Sequence, residues 1–137
     1  MRRRLFLLAS LAARLLADAA QQVFDLFTSM ATALGASEPG PFLNAFDRAM
    51  PEYQKLVGYI QAITSQSEIV CSIDVLSDQG DEKERTAELD WLLQLTAPQL
   101  PAVRRREKIK CRLRRSGRKW KIVSFQPVDF FKPVTPK

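Results

Sequence analysis

The feature that most constrains this chain is a change of hydrophobic period at Ser67. Before it, apolar residues recur three and four positions apart; after it, they alternate with polar ones. Three-and-four spacing gathers side chains on one helix face, whereas alternation gathers them on one face of a strand. From Gln21 to Leu34 the apolar set is Val23, Phe24, Phe27, Met30, Ala31 and Leu34, with Gly35 as a stop. Pro41 opens a second helix with Phe42, Leu43, Phe46 and Met50 on its buried face, and Pro51 ends it. Tyr53, Leu56, Val57, Ile60 and Ile63 mark a third.

Beyond Ser67, Ile69, Cys71, Ile73 and Val75 alternate with Glu68, Ser72 and Asp74. After a turn at Asp78–Asp81, Ala87, Leu89, Trp91, Leu93 and Leu95 alternate with Glu88, Asp90 and Gln94. Ile109, Cys111 and Leu113 then alternate with Lys108, Lys110, Arg112 and Arg114, and Trp120 and Ile122 follow a turn at Ser116-Gly117. Four strands in a meander, apolar on one face and charged on the other, need a cover, and the helices supply it. The expected fold is α+β: three N-terminal helices packed on a four-stranded antiparallel sheet.

Residues 1–20 read as an export leader. Arg2, Arg3 and Arg4 form a basic start, Leu5–Ala13 a short apolar run, and Ala17-Asp18-Ala19 a small-x-small cleavage signal. Arg3-Arg4-Leu5-Phe6-Leu7 also resembles a twin-arginine signal; the alternatives are an ordinary secretory leader or an amphipathic first helix retained in a cytosolic protein. The expectation is a periplasmic or extracellular protein with a signal peptide over 1–20, one domain over 21–128 and a tail over 129–137. The apolar run is too short for a membrane-spanning helix.

The net charge of +6 hides a division. Residues 21–103 hold 4 basic and 12 acidic side chains, and residues 104–137 hold 13 basic and 2 acidic. Pairing the last two strands about Ser116-Gly117 sets Leu113 opposite Trp120 and Cys111 opposite Ile122. It also opposes Arg114 to Lys119 and Arg112 to Lys121 on the outer face, and like charges so placed repel. Glu88 beside Arg112 and Asp90 beside Lys110 offset part of this excess. Arg112, Arg114, Arg115, Arg118, Lys119 and Lys121 therefore form a candidate anion-binding surface; the alternative is a solvated face with screened side chains. An exported protein rarely meets nucleic acid, and no aromatic lies between the outward cations of the third strand for a base to stack on.

There is no histidine. That removes the commonest general base near neutral pH and most zinc sites, and no metal or cofactor is expected. Asp47, Asp90, Tyr53 and Tyr59 are the remaining acid–base candidates, although alternation turns Asp90 away from the apolar face. Cys71 and Cys111 fall on the first and third strands, about 9–10 Å apart laterally. A disulfide needs closer Cα atoms, so two reduced cysteines are expected. Phe24, Phe27, Phe42, Phe46, Tyr59, Trp91 and Trp120 are expected either to fill the core or to line an apolar pocket between helices and sheet.

Helices followed by long strands, a mid-sheet Trp91, and a terminal hairpin reading Gly117-Arg118-Lys119-Trp120-Lys121-Ile122 resemble the nuclear transport factor 2-like, SnoaL-like superfamily over Gln21–Val128. The resemblance implies a cone in which the helices pack on a curved sheet, with a pocket between them and often a homodimer formed through the sheet. Family members include isomerases and dehydratases as well as non-catalytic binding domains. The family's enzymes pair a pocket Asp with His, Tyr or Arg, and this chain lacks the histidine. Three readings follow: a non-enzymatic exported domain binding a small apolar ligand or a protein partner, a lyase or isomerase acting on a hydrophobic small molecule, and an association module using the basic sheet face.

Overall fold

The computed structural model of the protein describes the backbone of residues 2–135 and side chains from residue 13 to 135. The chain opens with helix α1 (Arg2–Gly35). No glycine or proline interrupts residues 2–34, and the segment is rich in alanine and leucine, the residues that cost a helix least. The helix therefore starts well before Gln21 and runs through the expected leader, with Ala19 buried against the core. The basic start and most of the leader's apolar run lie outside the described side chains. No described helix is long and apolar enough to cross a membrane.

The second helix is shorter than expected. Helix α2 is confined to Pro39–Leu43, with Asn44 as its C-cap, and residues 45–50 lie outside any helix. The Ala45 carbonyl accepts from the Ile122 N–H at 2.8 Å, and the Asp47 N–H donates to the Ile122 carbonyl at 2.9 Å. Backbone groups that a longer helix would use internally are thus bonded to the last strand, placing Phe46 in a parallel bridge with Ile122. Phe42, Phe46 and Met50 are buried all the same. Helix α3 (Tyr53–Gln66) buries Leu56, Ile60 and Ile63, as its spacing requires.

Strands β1 (Glu68–Gly80), β2 (Glu84–Thr96), β3 (Val103–Ser116) and β4 (Lys119–Gln126) form one curved antiparallel sheet in the order β1-β2-β3-β4. Ala87, Leu89, Trp91, Leu93 and Leu95 of β2, with Ile109, Cys111 and Leu113 of β3, are essentially inaccessible to solvent. Each large side chain buried this way contributes about 1.5–3 kcal/mol. The β1–β2 turn requires Gly80 (φ 144°), where a Cβ would sit 2.2 Å from the Glu84 carbonyl oxygen. Beside it Arg85, 7% exposed, donates to Asp78 at 2.8 Å and to the Asp81 carbonyl at 3.0 Å.

The β3–β4 hairpin turns one residue later than expected, which shifts the cross-strand pairing by two. Gly117 takes the left-handed φ of 63°, a conformation glycine adopts without cost, and the turn falls on Gly117-Arg118. Ser116 then faces Lys119, Arg115 faces Trp120, Arg114 faces Lys121 and Leu113 faces Ile122. A bulge follows at Val123, so that Arg112 faces Ser124 and Cys111 faces Phe125. Neither expected like-charge opposition forms: Lys119 faces Ser116 and Arg112 faces Ser124, while Lys121 meets Arg114 instead. The β2–β3 register is displaced by two residues in the opposite sense, with Glu88 opposite Lys110, Asp90 opposite Lys108 and Thr86 opposite Arg112.

Past β4, a 3-10 helix (Val128–Phe131) returns into the core with Val128, Phe130 and Phe131 buried. The packed unit thus includes residues expected in a tail. Cys71 and Cys111 are both free. They face Leu93 and Ala87 of the intervening strand, and so are also offset along its length.

Candidate binding surfaces

The inner face of the sheet is where a pocket was expected, and aromatic rings occupy it. Trp91 lies at the centre, edge-on to Phe42 at 6.2 Å, Phe125 at 5.8 Å, Phe130 at 6.1 Å and Phe131 at 5.2 Å between centroids. Phe131 completes the cluster, 5.6 Å from both Phe42 and Phe125. Edge-to-face pairs at these distances are favourable beyond their area burial. Of the expected lining set, Phe27, Phe42, Phe46, Trp91 and Trp120 are buried. Trp120 donates its indole N–H to Gln22 at 3.0 Å. Tyr59 is half-buried at the rim.

Phe24 departs from expectation. It is 52% exposed, because Val23, Phe27, Met30 and Leu34 already complete the buried stripe of α1 and Phe24 falls on its flank. Among the described residues the Trp91 indole nitrogen has no hydrogen-bond partner. Burial pushes the pKa of the nearby Cys71 thiol up to about 11. Burial pushes Cys111 up to about 12. Both thiols are therefore protonated and inert at neutral pH.

Neither candidate carboxylate reaches the interior. Asp47 lies in the bridging segment rather than on a helix, and its carboxylate accepts the Ala49 N–H at 2.8 Å. Asp90 points outward, directly opposite Asp74 of β1. Arg106 answers that acidic pair, holding Asp90 through Nε at 3.1 Å and Nη2 at 2.7 Å. This hydrogen bonding holds the Asp90 pKa below the ordinary carboxylate value, the reverse of what a general acid or base near neutrality requires. Tyr53 is half-buried beside the bridging segment, and the Tyr59 hydroxyl donates to Asp129 at 3.2 Å.

The outer face is strongly basic. Arg104, Arg106, Lys108, Lys110, Arg112 and Arg114 are all exposed on β3, spaced about 6.6 Å apart as alternate residues of one strand. Arg106 is committed to Asp90, and Arg114 to Glu84 at 3.1 Å. Among the described residues, Arg104, Lys108, Lys110 and Arg112 make no ion pair within 4 Å. At the hairpin end, Lys119 and Lys121 line a groove of about 430 Å³ with Arg48, Asp47 and Tyr53. Lys121 also donates to the Asn44 carbonyl, and Arg118 borders a neighbouring groove over α1. Arg112 and Arg114 line a further shallow groove with Asp47 and Met50, while Arg115 is half-buried, donating to the Gly117 carbonyl at 3.1 Å.

The expected anion-binding residues thus divide between a strand row and a hairpin-end groove. The row extends past them through Lys110, Lys108, Arg106 and Arg104, which the alternation of residues 103–114 already places outward. Arg48 carries no periodic signal, and only the bridge of Phe46 to Ile122 brings it to the hairpin.

No family model matches the chain, and no curated protein matches it. Solved structures do. A conserved protein from Planctomyces limnophilus superposes with a TM-score of 0.71 at 10% identity, covering 80% of this chain and 93% of its own. A candidate dehydratase from the NTF2-like family of Streptomyces avermitilis gives 0.65 at 14% identity, covering 80% and 94%. The fold is nuclear transport factor 2-like. An NTF2-like protein of unknown function from Shewanella oneidensis agrees, with a TM-score of 0.61 at 5% identity over 77% of this chain and 95% of its own. Within this nuclear transport factor 2-like cone, the helices and concave sheet enclose the aromatic cluster, and the basic row lies on the opposite surface. Proteins sharing a fold at such low identity share architecture; function follows from their sites.

Proposed function

We propose that this protein is a non-enzymatic association domain that docks an extended acidic partner along the outer face of β3. The observation that carries this reading is the row of six outward cations on one strand, four of which make no ion pair within 4 Å among the described residues. A row of charges about 6.6 Å apart suits an extended chain better than a flat surface. Complementary potential of this kind raises the rate of encounter and suppresses wrong partners.

The dehydratase or isomerase reading has less support. Such chemistry needs an acid or base inside the cone; Asp47 is engaged with a backbone amide and Asp90 with Arg106 on the outer surface. Binding of a small apolar ligand in the closed cone has less support too, since the cone's own aromatic residues occupy that space. We place the domain outside the cytoplasm on the strength of its leader; a mature N-terminus near Ala20 in the exported fraction is the expected result of N-terminal sequencing.

The test uses fluorescent poly-glutamate as probe, with vesicles of anionic lipid as a second arm. Association with poly-glutamate should be measurable at low salt and weaken steeply as salt rises. Binding confined to vesicles would assign the row to a membrane surface. A self-associating protein that ignores both probes would make the sheet a homodimer interface.

A further inference from the structure

Lys119 and Lys121 alternate with the buried Trp120 and Ile122 along β4, so their side chains leave the sheet on the face opposite the ring cluster. The bridge of Phe46 to Ile122 brings Arg48 beside them, and Tyr53, the first residue of α3, closes the remaining side. Together these elements form the open groove of about 430 Å³ at the hairpin end.

Three cations and one carboxylate line this groove, a formal charge of +2. Among the described residues, Arg48, Lys119 and Lys121 make no ion pair within 4 Å, and Lys121 donates to the neutral Asn44 carbonyl. The lone acid, Asp47, accepts the Ala49 N–H. The ladder crowds the positive charge further, because Lys121 stands directly opposite Arg114. Like charges so placed repel, and a bound anion relieves the repulsion. A phosphate monoester carries about −1.5 to −2 near neutral pH and offers three acceptor oxygens, whereas a carboxylate or sulfate ester carries a single charge. Half-buried Leu43 and Tyr53 supply an apolar wall beside the cations, and the Tyr53 and Ser116 hydroxyls add donors.

We propose that the hairpin-end groove binds a small aryl phosphate monoester. The phosphate sits among Arg48, Lys119 and Lys121, and the ring lies against Leu43 and Tyr53. Arg48 presents a planar fork that takes two phosphate oxygens, and the lysines act as point charges. The groove differs in kind from the row on β3. The row strings cations along one strand, whereas here charge from two separate segments converges beside an apolar wall. Neither Lys108, Lys110 nor Arg112 lines the groove, so either site can fail without the other.

The experiment titrates the full chain calorimetrically with phenyl phosphate in about 0.15 M salt, where exposed charges more than about 8 Å apart are largely screened. Phenyl sulfate serves as the singly charged counterpart and inorganic phosphate as the anion without a ring. Phenyl phosphate is expected to saturate the protein and to bind at least about fivefold more tightly than either control. Arg48 and Lys119 are both exposed, so Arg48→Gln/Lys119→Gln should leave the urea midpoint in place while weakening phenyl phosphate about tenfold or more. The Lys108→Gln/Lys110→Gln/Arg112→Gln variant should keep its affinity within about twofold. The proposal is overturned if phenyl phosphate fails to saturate the full chain, or if phenyl sulfate or inorganic phosphate binds equally well. It is also overturned if the strand-row variant loses as much affinity as the groove variant.

Discussion

Strand β3 carries two chemistries on one backbone. Its inward residues Ile109, Cys111 and Leu113 are at most 1% exposed, while Lys108, Lys110, Arg112 and Arg114 between them face water. The inner side meets Trp91 and its ring cluster in a region where packing density decides the energy, and a lost ring leaves a void. The outer side consists of long, well-solvated side chains whose individual ion pairs contribute little to stability. Stability and association are thus assigned to opposite surfaces of one sheet, and changes to one should leave the other nearly untouched.

The most severe way to break this division is Trp91→Ala. Its indole touches four other rings, and its removal should cost about 4–5 kcal/mol, read as a lower urea midpoint. Poly-glutamate binding by the fraction that stays folded should be unchanged. Phe131→Ala should follow at about 3–4 kcal/mol, a loss that an unanchored tail would not produce.

Alkaline pH sharpens the same contrast. Both thiols have folded pKa values above the ordinary 9.0, at about 11 for Cys71 and about 12 for Cys111. Groups raised on folding contribute fully below their unfolded pKa, and that contribution is lost as pH rises through the folded values. Urea stability should therefore decline above pH 9, and Cys111→Ala should decline less steeply. Iodoacetamide should label neither thiol in native protein at pH 7.

The outer face should give the smallest stability change. The triple variant Lys108→Gln/Lys110→Gln/Arg112→Gln should shift unfolding by no more than about 0.5 kcal/mol at each position. It removes positive charge from a face where Arg114 and Lys121 are directly opposed, so a slight gain is as consistent as a slight loss.

How much of this was legible in the sequence follows from periodicity. Alternation in residues 69–95 and 109–122 gave the sheet, its inward tryptophans and its outward cations, because side-chain parity in a strand is a local property. The hairpin position was not local: Ser116-Gly117-Arg118 allows more than one tight turn, and the choice depends on Val123 bulging out of the ladder. The spacing of Phe42, Leu43, Phe46 and Met50 suits a helix, but the backbone of Ala45 and Asp47 found partners on β4 instead, bringing Arg48 to the hairpin. Phe130 and Phe131 are adjacent and aperiodic, so nothing in their spacing announced that they fill the cone.

The most direct test measures poly-glutamate affinity at low and high salt for the unaltered protein and the Lys108→Gln/Lys110→Gln/Arg112→Gln variant, with folding monitored alongside. A functional outer row predicts salt-sensitive binding that falls about tenfold or more in the variant, roughly 1.4 kcal/mol spread over three charges, while the urea midpoint barely moves. Equal affinity of both proteins, or no binding by either at low salt, would contradict it.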